Sequence, residues 1–434
     1  LLDRLVLFPL ASEVSAEGHL VIGGCDAARL TSEFGTPLYV FDEFTVRSRC
    51  REIKEAFAQS YAGTRVLYAA KAFLNRALAV ILMEEGLGLD VDSEGEMGIA
   101  RFAGFPPGRV YFVGNNKSDN ELAMALDWHI GRIVVDNFHE LEMLAAIAGD
   151  KGVRPDILLR LSPAVDPHTH QYVATGVLDS KFGFTMASAK EAVRQAMAVT
   201  SLNPVGLHFH LGSPVPSVGP YEEAIEVVLD LAAELRREYG FELTELDVGG
   251  GVAAQYTLDS PAPPVADYAR AIASKITGKC HELGLSPPQL VVEPGRAIVA
   301  QAGVALYTAG AVKDIPGVRR YVSVDGGMGD NIRTALYGSR YEAAIANKMQ
   351  EEASARVTIA GRFCESGDIL VRDIEMPTIA AGDIIAIPVS GAYCLPLASN
   401  YNASFRPAVV MVKEGKARLV RRRETLEDLT WCDL

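Results

Sequence analysis

Residues 205–240 read VGLHFHLGSPVPSVGPYEEAIEVVLDLAAELRREYG. The opening run is apolar or aromatic around two histidines and does not alternate, as in a parallel strand buried on both faces. A turn rich in Gly and Pro follows. From Tyr221 the period changes: Tyr221, Ala224, Ile225, Val228, Ala232 and Leu235 form one apolar stripe, and Glu222, Glu223, Glu226, Asp230 and Glu234 lie elsewhere. Gly240 supplies a stop. A buried strand leading through a turn into an amphipathic helix is one βα unit.

Working outward, the same unit recurs. Apolar runs lie at 66–70, 87–91, 110–113, 130–135, 157–161, 243–248 and 290–292. Helical patterns lie at 44–57, 76–85, 94–102, 119–126, 140–148, 187–199 and 265–283. Eight strand–helix alternations over roughly 230 residues predict an α/β fold, a (β/α)8 TIM barrel. A doubly wound sheet is the other architecture the periodicity permits. After Gly295 the segments become short and β-rich, at 321–324, 356–360, 383–389, 408–412 and 417–420. Asp325-Gly326-Gly327, Glu365-Ser366-Gly367-Asp368 and Lys413-Glu414-Gly415-Lys416 mark turns. An all-β C-terminal domain is expected, and the hairpin-like runs 19–22 and 38–41 are expected to pair with it. The predicted divisions are 1–38 (a segment joining the β domain), 39–296 (the barrel) and 297–434.

Composition narrows the class. The chain has 434 residues, 49% hydrophobic and 22% charged, which excludes a disordered chain, a collagen and a coiled-coil rod. Its net charge of −14, from 41 basic and 55 acidic residues, argues against a nucleic-acid partner. The basic run Arg421-Arg422-Arg423 reads as a solvated strand end. The cysteines Cys25, Cys50, Cys280, Cys364, Cys394 and Cys432 form no C-x-x-C pair, so neither a zinc site nor a disulfide framework is expected. A reducing, cytoplasmic location fits that usage. No membrane span is expected: the uncharged stretch 297–312 is broken by Gln301, Thr308 and glycines. The start, Leu1-Leu2-Asp3-Arg4-Leu5, lacks the shape of a signal peptide.

In a barrel of this kind chemistry sits at the C-terminal strand ends. Those ends carry Lys71, Asp90 with Asp92 and Ser93, Asn115 with Asn116, Asp136, Arg160, His210 with Ser213, Gly249-Gly250-Gly251, and Glu293 with Gly295 and Arg296. A lysine closing a buried strand is suited to form a Schiff base with an aldehyde, the bland alternative being a lysine that snorkels from the barrel mouth. His208 and His210 share a strand face, which makes an H-x-H metal site a rival. One histidine lying flat against an aromatic ring, with the other structural, fits better. The glycine turn can close around a phosphate. As a dinucleotide fingerprint it is weak, because Asp267, nearest the required spacing, falls inside a helix. Glu293 can hold a pyridinium N–H, and Arg296 can meet a phosphate or carboxylate. Together these are the needs of pyridoxal 5′-phosphate, with no metal.

The motifs Pro37-Leu38-Tyr39-Val40-Phe41, Tyr68-Ala69-Ala70-Lys71, Gly114-Asn115-Asn116-Lys117-Ser118, Thr175-Gly176 with Lys181-Phe182-Gly183, the 208–213 segment, Glu293-Pro294-Gly295-Arg296, Asp325-Gly326-Gly327-Met328, Cys364-Glu365-Ser366-Gly367-Asp368 and Gly391-Ala392-Tyr393-Cys394 resemble those of the fold-type III pyridoxal-phosphate-dependent decarboxylases. The resemblance runs through nearly the whole chain, to Arg406-Pro407. It is strongest to the branch that converts meso-2,6-diaminopimelate to L-lysine and CO2, the last step of bacterial lysine synthesis. Decarboxylases of ornithine, lysine, arginine or carboxynorspermidine are the related alternative.

The resemblance implies roles. Lys71 would bond the cofactor's aldehyde carbon, His210 would stack on its ring, and Glu293 would pair with the ring nitrogen. Ser213, Gly249, Gly250, Gly251, Gly295, Arg296 and Tyr393 would surround the phosphate, with Arg296 and Tyr393 also reaching the substrate. Arg333 and Tyr337 would grip the distal carboxylate, Glu365 the distal amine, and Cys364 would donate a proton. Cys364 and Glu365 would come from a second subunit, which implies a homodimer with shared sites. A β-sandwich-like C-terminal domain and a lid loop at 165–180 are also implied. Pro214, Val113, Asp92 and Glu94 depart from the family pattern, Asp92 and Glu94 standing where apolar and Gly residues are common.

Overall fold

The computed structural model describes residues 2–166, 175 and 180–434. His168, His170, Gly176 and most of the loop at 165–180 lie outside the described residues. The chain divides into two compact units. One comprises Cys50–Ala253 and Ala262–Gly295, the other Leu1–Arg49, Ala254–Pro261 and Arg296–Leu434.

In the first unit, eight parallel strands among the described residues close into a barrel. They are β1 (Arg65–Ala69), β2 (Gly88–Val91), β3 (Val110–Phe112), β4 (Arg132–Val135), β5 (Asp156–Ser162), β6 (Asn203–Phe209), β7 (Glu245–Asp247) and β8 (Gln289–Val292). β8 pairs with β1, and β4 with β5, so closure decides for the barrel over the doubly wound sheet. Each of the eight apolar runs became one of these strands. Their side chains are almost wholly buried, which is why the pattern shows runs rather than alternation.

Helices between the strands start where the sequence provides caps. Asn75, Ser93, Ser118, Asn137 and Thr185 each accept a backbone N–H from the first turn. Gly152, Gly240 and Gly284 end helices in the left-handed conformation. The helix Gly219–Tyr239 buries the Tyr221–Leu235 stripe. No helix among the described residues is long and apolar enough to cross a membrane.

The second unit holds a three-stranded sheet, Ser12–Val14, Leu20–Ile22 and Cys25–Asp26, so the run 19–22 pairs there and not with the C-terminal strands as expected, and a larger, mostly antiparallel sheet. The larger sheet runs Ile369–Met376, Ala355–Ala360, Arg319–Val324, Gly303–Ile315, Leu38–Asp42, Ala408–Lys413 and Lys416–Arg421, with Ile384–Ile387 also on Gly303–Ile315 and Ala344–Ile345 on Ile384–Ile387. The N-terminal run 38–41 therefore joins the β domain, between Gly303–Ile315 and Ala408–Lys413. Leu20, Ile22, Leu38, Val40, Val304, Leu306 and Val410 share its core. The 13-residue strand Gly303–Ile315 and the strand Ile369–Met376 were not read from the sequence. The former is buried over its first half and exposed over its second, and Gly303, Ala305, Ala309 and Gly310 dilute its β propensity.

Candidate active site

Lys71 sits in a single 3-10 turn, Ala70–Ala72, where β1 ends. Its Nζ donates to Asp90 Oδ2 at 2.8 Å and to Asp92 Oδ2 at 3.0 Å. The two carboxylates behave differently. Burial, reinforced by the Glu293 charge, pushes the Asp90 carboxyl well above the usual range despite Lys71. Burial also works against Asp92, but the Lys71 charge and hydrogen bond, then Arg160 and His210, hold it below its ordinary value. Behind it, Glu96 accepts the Asp92 N–H at 2.7 Å. Burial and the Asp92 charge lift Glu96 to about 7.

Across the same barrel end, β6, β7 and β8 bring His208, Asp247 and Glu293 together, with ligand atoms within 4.8 Å of one another. His208 Nε2 lies 3.4 Å from Glu293 Oε1. Neither ring nitrogen of His208, nor Glu293 Oε1, nor Asp247 Oδ2, has a hydrogen-bond partner among the described residues. Burial raises the Asp247 and Glu293 carboxyls and lowers the His208 imidazole well below its ordinary value. The H-x-H pair does not converge on one point. His208 faces Glu293, whereas His210 Nδ1 accepts the Gly250 N–H at 3.1 Å. That bond leaves the His210 proton on Nε2, and burial keeps the ring neutral.

The glycine turn is built against His210. A Cβ on Gly249, at φ +72°, would lie 2.6 Å from Phe209 O and 2.8 Å from His210 Nδ1. Only glycine allows that approach. Asp247 Oδ1 accepts the Gly249 N–H at 2.9 Å, and the Tyr221 hydroxyl donates to Gly250 O at 2.5 Å. Ser213 is half-buried just past β6. The Thr175 hydroxyl donates to His210 O at 2.7 Å. Arg160 lies 3.6 Å from Asp136 and 4.4 Å over the Phe182 ring. A Cβ on Gly295 would stand 2.9 Å from Ala72 Cβ, beside the Lys71 turn.

The β unit holds a second cluster. Arg296 opens the short helix Arg296–Val299, with its guanidinium 4.7 Å over Tyr393 and 5.6 Å over Tyr256. It donates to the Tyr256 hydroxyl at 2.7 Å. Arg333 is buried, lies 4.7 Å over the same Tyr256 ring, and donates to the Tyr341 hydroxyl. Its Nε has no hydrogen-bond partner, and it makes no ion pair, among the described residues. Tyr337 ends the one-turn helix that Arg333 begins. Cys364 and Glu365 are elsewhere in this unit, exposed on the loop before Ile369–Met376. Asn402 Oδ1 accepts the Cys364 N–H at 3.1 Å, and the Tyr401 hydroxyl donates to Glu365 at 2.7 Å.

The barrel therefore gathers Lys71, His210, the glycine turn and Glu293, and the β unit gathers Arg296, Arg333 and Tyr393. The sequence reading did not single out Asp247, Glu96, Tyr256 or Tyr341. Asp247 and Glu96 carry a weak positional signal at a strand end and one turn past another. Tyr256 and Tyr341 lie in irregular segments and carry none.

Comparison with known proteins bears on this arrangement. The family model for the pyridoxal-dependent decarboxylase, pyridoxal binding domain, matches residues 44–300. A diaminopimelate decarboxylase of Bacillus subtilis is 44% identical over 98% of this chain and 97% of its own. One of Mycobacterium tuberculosis is 45% identical over 95% of this chain and 94% of its own. The crystal structure of diaminopimelate decarboxylase from M. jannaschii in complex with L-lysine is 35% identical, with a TM-score of 0.91 over 98% of this chain and 97% of that one. With a barrel that presents a lysine, a neutral histidine and a buried glutamate with one oxygen unpartnered among the described residues, the chain belongs to the diaminopimelate decarboxylases of the pyridoxal-dependent decarboxylase family.

Proposed function

We propose that Lys71, His210 and Glu293 hold pyridoxal 5′-phosphate in this chain, for decarboxylation of meso-2,6-diaminopimelate to L-lysine and CO2. The observation that carries this is the buried Glu293 oxygen left without a partner at the end of the barrel where Lys71 stands. A ring N–H is the donor it lacks, and a buried acceptor without one costs about 1–3 kcal/mol. The residues present fit the cofactor. Lys71 supplies the amine, the neutral His210 ring supplies a flat face fixed by Gly250, and Ser213 with the glycine turn supplies polar surface for a phosphate.

Bound there, pyridoxal 5′-phosphate supplies a sink for the electron pair left when CO2 departs. Glu293 keeps the ring nitrogen protonated. Arg296 and Tyr393 meet the phosphate and the substrate. Arg333 and Tyr337 orient the substrate by its distal carboxylate, and Glu365 by its distal amine. A buried guanidinium left without that carboxylate penalises lysine and ornithine, which lack it. Cys364 or Lys71 would hold the proton destined for Cα.

Cys364 and Glu365 are exposed in the single chain, a placement that supports their use by a second copy in a homodimer with shared sites. All six cysteines are free thiols, which supports a reducing, cytoplasmic setting. CO2 release from purified protein with pyridoxal 5′-phosphate tests the proposal. Release from meso-diaminopimelate, with little from L-lysine or L-ornithine, is expected. Comparable release from the simple diamino acids overturns the role of Arg333.

A further inference from the structure

The barrel site contains a second carboxylate on Lys71 that the proposed function leaves without a task. Asp92 has no role in that proposal, yet its Oδ2 is 3.0 Å from Lys71 Nζ. Asp90 already faces that amine at 2.8 Å. A lysine that needs only one counter-charge has two.

The two carboxylates are not equivalent. Asp90 lies wholly buried beside Glu293, which favours its neutral form. Asp92 pairs with Lys71 and feels the Arg160 charge, and its N–H is anchored by Glu96, so it is the member of the pair that stays ionised. We propose that Asp92 is a positioning residue that holds the Lys71 side-chain nitrogen protonated, both when it is bonded to the pyridoxal carbon and when substrate has displaced it. The inference rests on Lys71 being the cofactor lysine.

Two consequences follow from charge alone. A protonated nitrogen withdraws electrons from the linkage carbon, which speeds attack by the substrate amine. A displaced Lys71 then holds a proton it can deliver to Cα as CO2 leaves. The ionisable groups that act on this nitrogen are Asp90, Asp92, Glu96, Glu293, His208 and His210, and Arg160 acts on several of them. Burial keeps both histidines neutral, and it raises Asp90 and Glu293. Asp92 therefore sets the balance.

The test is an absorbance titration of the lysine–pyridoxal linkage in holoenzyme, comparing wild type with Asp92→Asn and Asp92→Glu. An opposite charge at this distance shifts a titration midpoint by about one unit or more. The midpoint is expected to fall by that amount in Asp92→Asn and to stay near wild type in Asp92→Glu. An unchanged midpoint in Asp92→Asn overturns the inference. So does an equal fall in both variants, which would assign the effect to shape rather than charge. Should Asp92→Asn fail to fold, Asp92→Val gives the same loss of charge with an apolar side chain. Borohydride reduction and peptide mapping separate the two levels. A label away from Lys71 overturns the cofactor assignment, whereas a label on Lys71 with an unmoved midpoint overturns the role of Asp92 alone.

Discussion

Glu245 and Asp247 are two residues apart on β7 and point to the same side of the strand, yet Glu245 faces the N-terminal layer of the barrel interior and Asp247 the C-terminal one. Glu245 is fully engaged. Its Oε1 accepts the Tyr111 hydroxyl at 2.7 Å, and its Oε2 accepts from Arg132 at 3.1 Å, with Arg65 at 3.7 Å. Arg132 in turn pairs with Asp156 at 2.9 Å. Asp247 keeps one oxygen without a partner, beside Glu293 and His208 in the same condition. At the N-terminal end both Glu245 oxygens are paired, and among the described residues only Arg132 Nε of this network lacks a partner. The C-terminal end holds a paired lysine beside buried oxygens that have no partner among the described residues. Native proteins rarely leave such groups unsatisfied, so the contrast sets an end that holds the barrel shut against the end proposed to bind the cofactor.

That contrast can be broken by substitutions that should act on one property only. The largest effect is expected from Lys71→Ala, which should lower kcat for diaminopimelate by about 10^4-fold, the scale of losing a covalent catalyst, with an unchanged circular dichroism spectrum. Next, Glu245→Ala at the other end should cost about 1–3 kcal/mol of stability in a denaturant melt, because it leaves the buried Tyr111 hydroxyl and the part-buried Arg132 without their acceptor, while kcat per folded molecule stays at wild type. A fall in kcat there would erase the distinction between the ends. Glu293→Gln sharpens it from the active side: kcat should drop by about 10^2-fold, while the cofactor-free protein should be no less stable, since an uncompensated buried carboxylate has been removed.

The smallest effect is a pH dependence. Glu96 titrates near 7 in the fold and near 4.5 when unfolded, so the folded state binds the extra proton between those values. Stability from this group is therefore lost as pH rises from about 4.5 to 7. Glu96→Gln should melt with wild type at pH 4.5 and a few degrees above it at pH 8. A constant gap would show that Glu96 is not the group responsible.

How much of this was legible beforehand depends on period. The eight barrel strands were visible because burial on both faces writes itself as an apolar run, and Lys71, His210 and Glu293 were visible because each closes such a run. Gly303–Ile315 was missed because it is buried over half its length and exposed over the rest, so it shows neither pattern for long. Tyr256 and Tyr341 sit in irregular chain, where spacing says nothing about which ring will face Arg333. Asp92 was visible as an oddity, but only the 3.0 Å distance to Lys71 gives the oddity a meaning. The expected roles of Cys364, Glu365 and Tyr337 came from resemblance rather than from any pattern in the residues.

The strand Leu38–Asp42 carries a last consequence, for the chain as it is made. Its sheet neighbours, Gly303–Ile315 and Ala408–Lys413, leave the ribosome long after it does. At about 5–20 residues per second, the first of them follows after roughly 13–50 s. Throughout that interval the barrel segment 50–253 is emerging and free to fold, while an apolar strand waits beside it with both edges unpaired. Newborn chains are therefore exposed to misassociation at this early strand, and a slow translation rate prolongs the exposure.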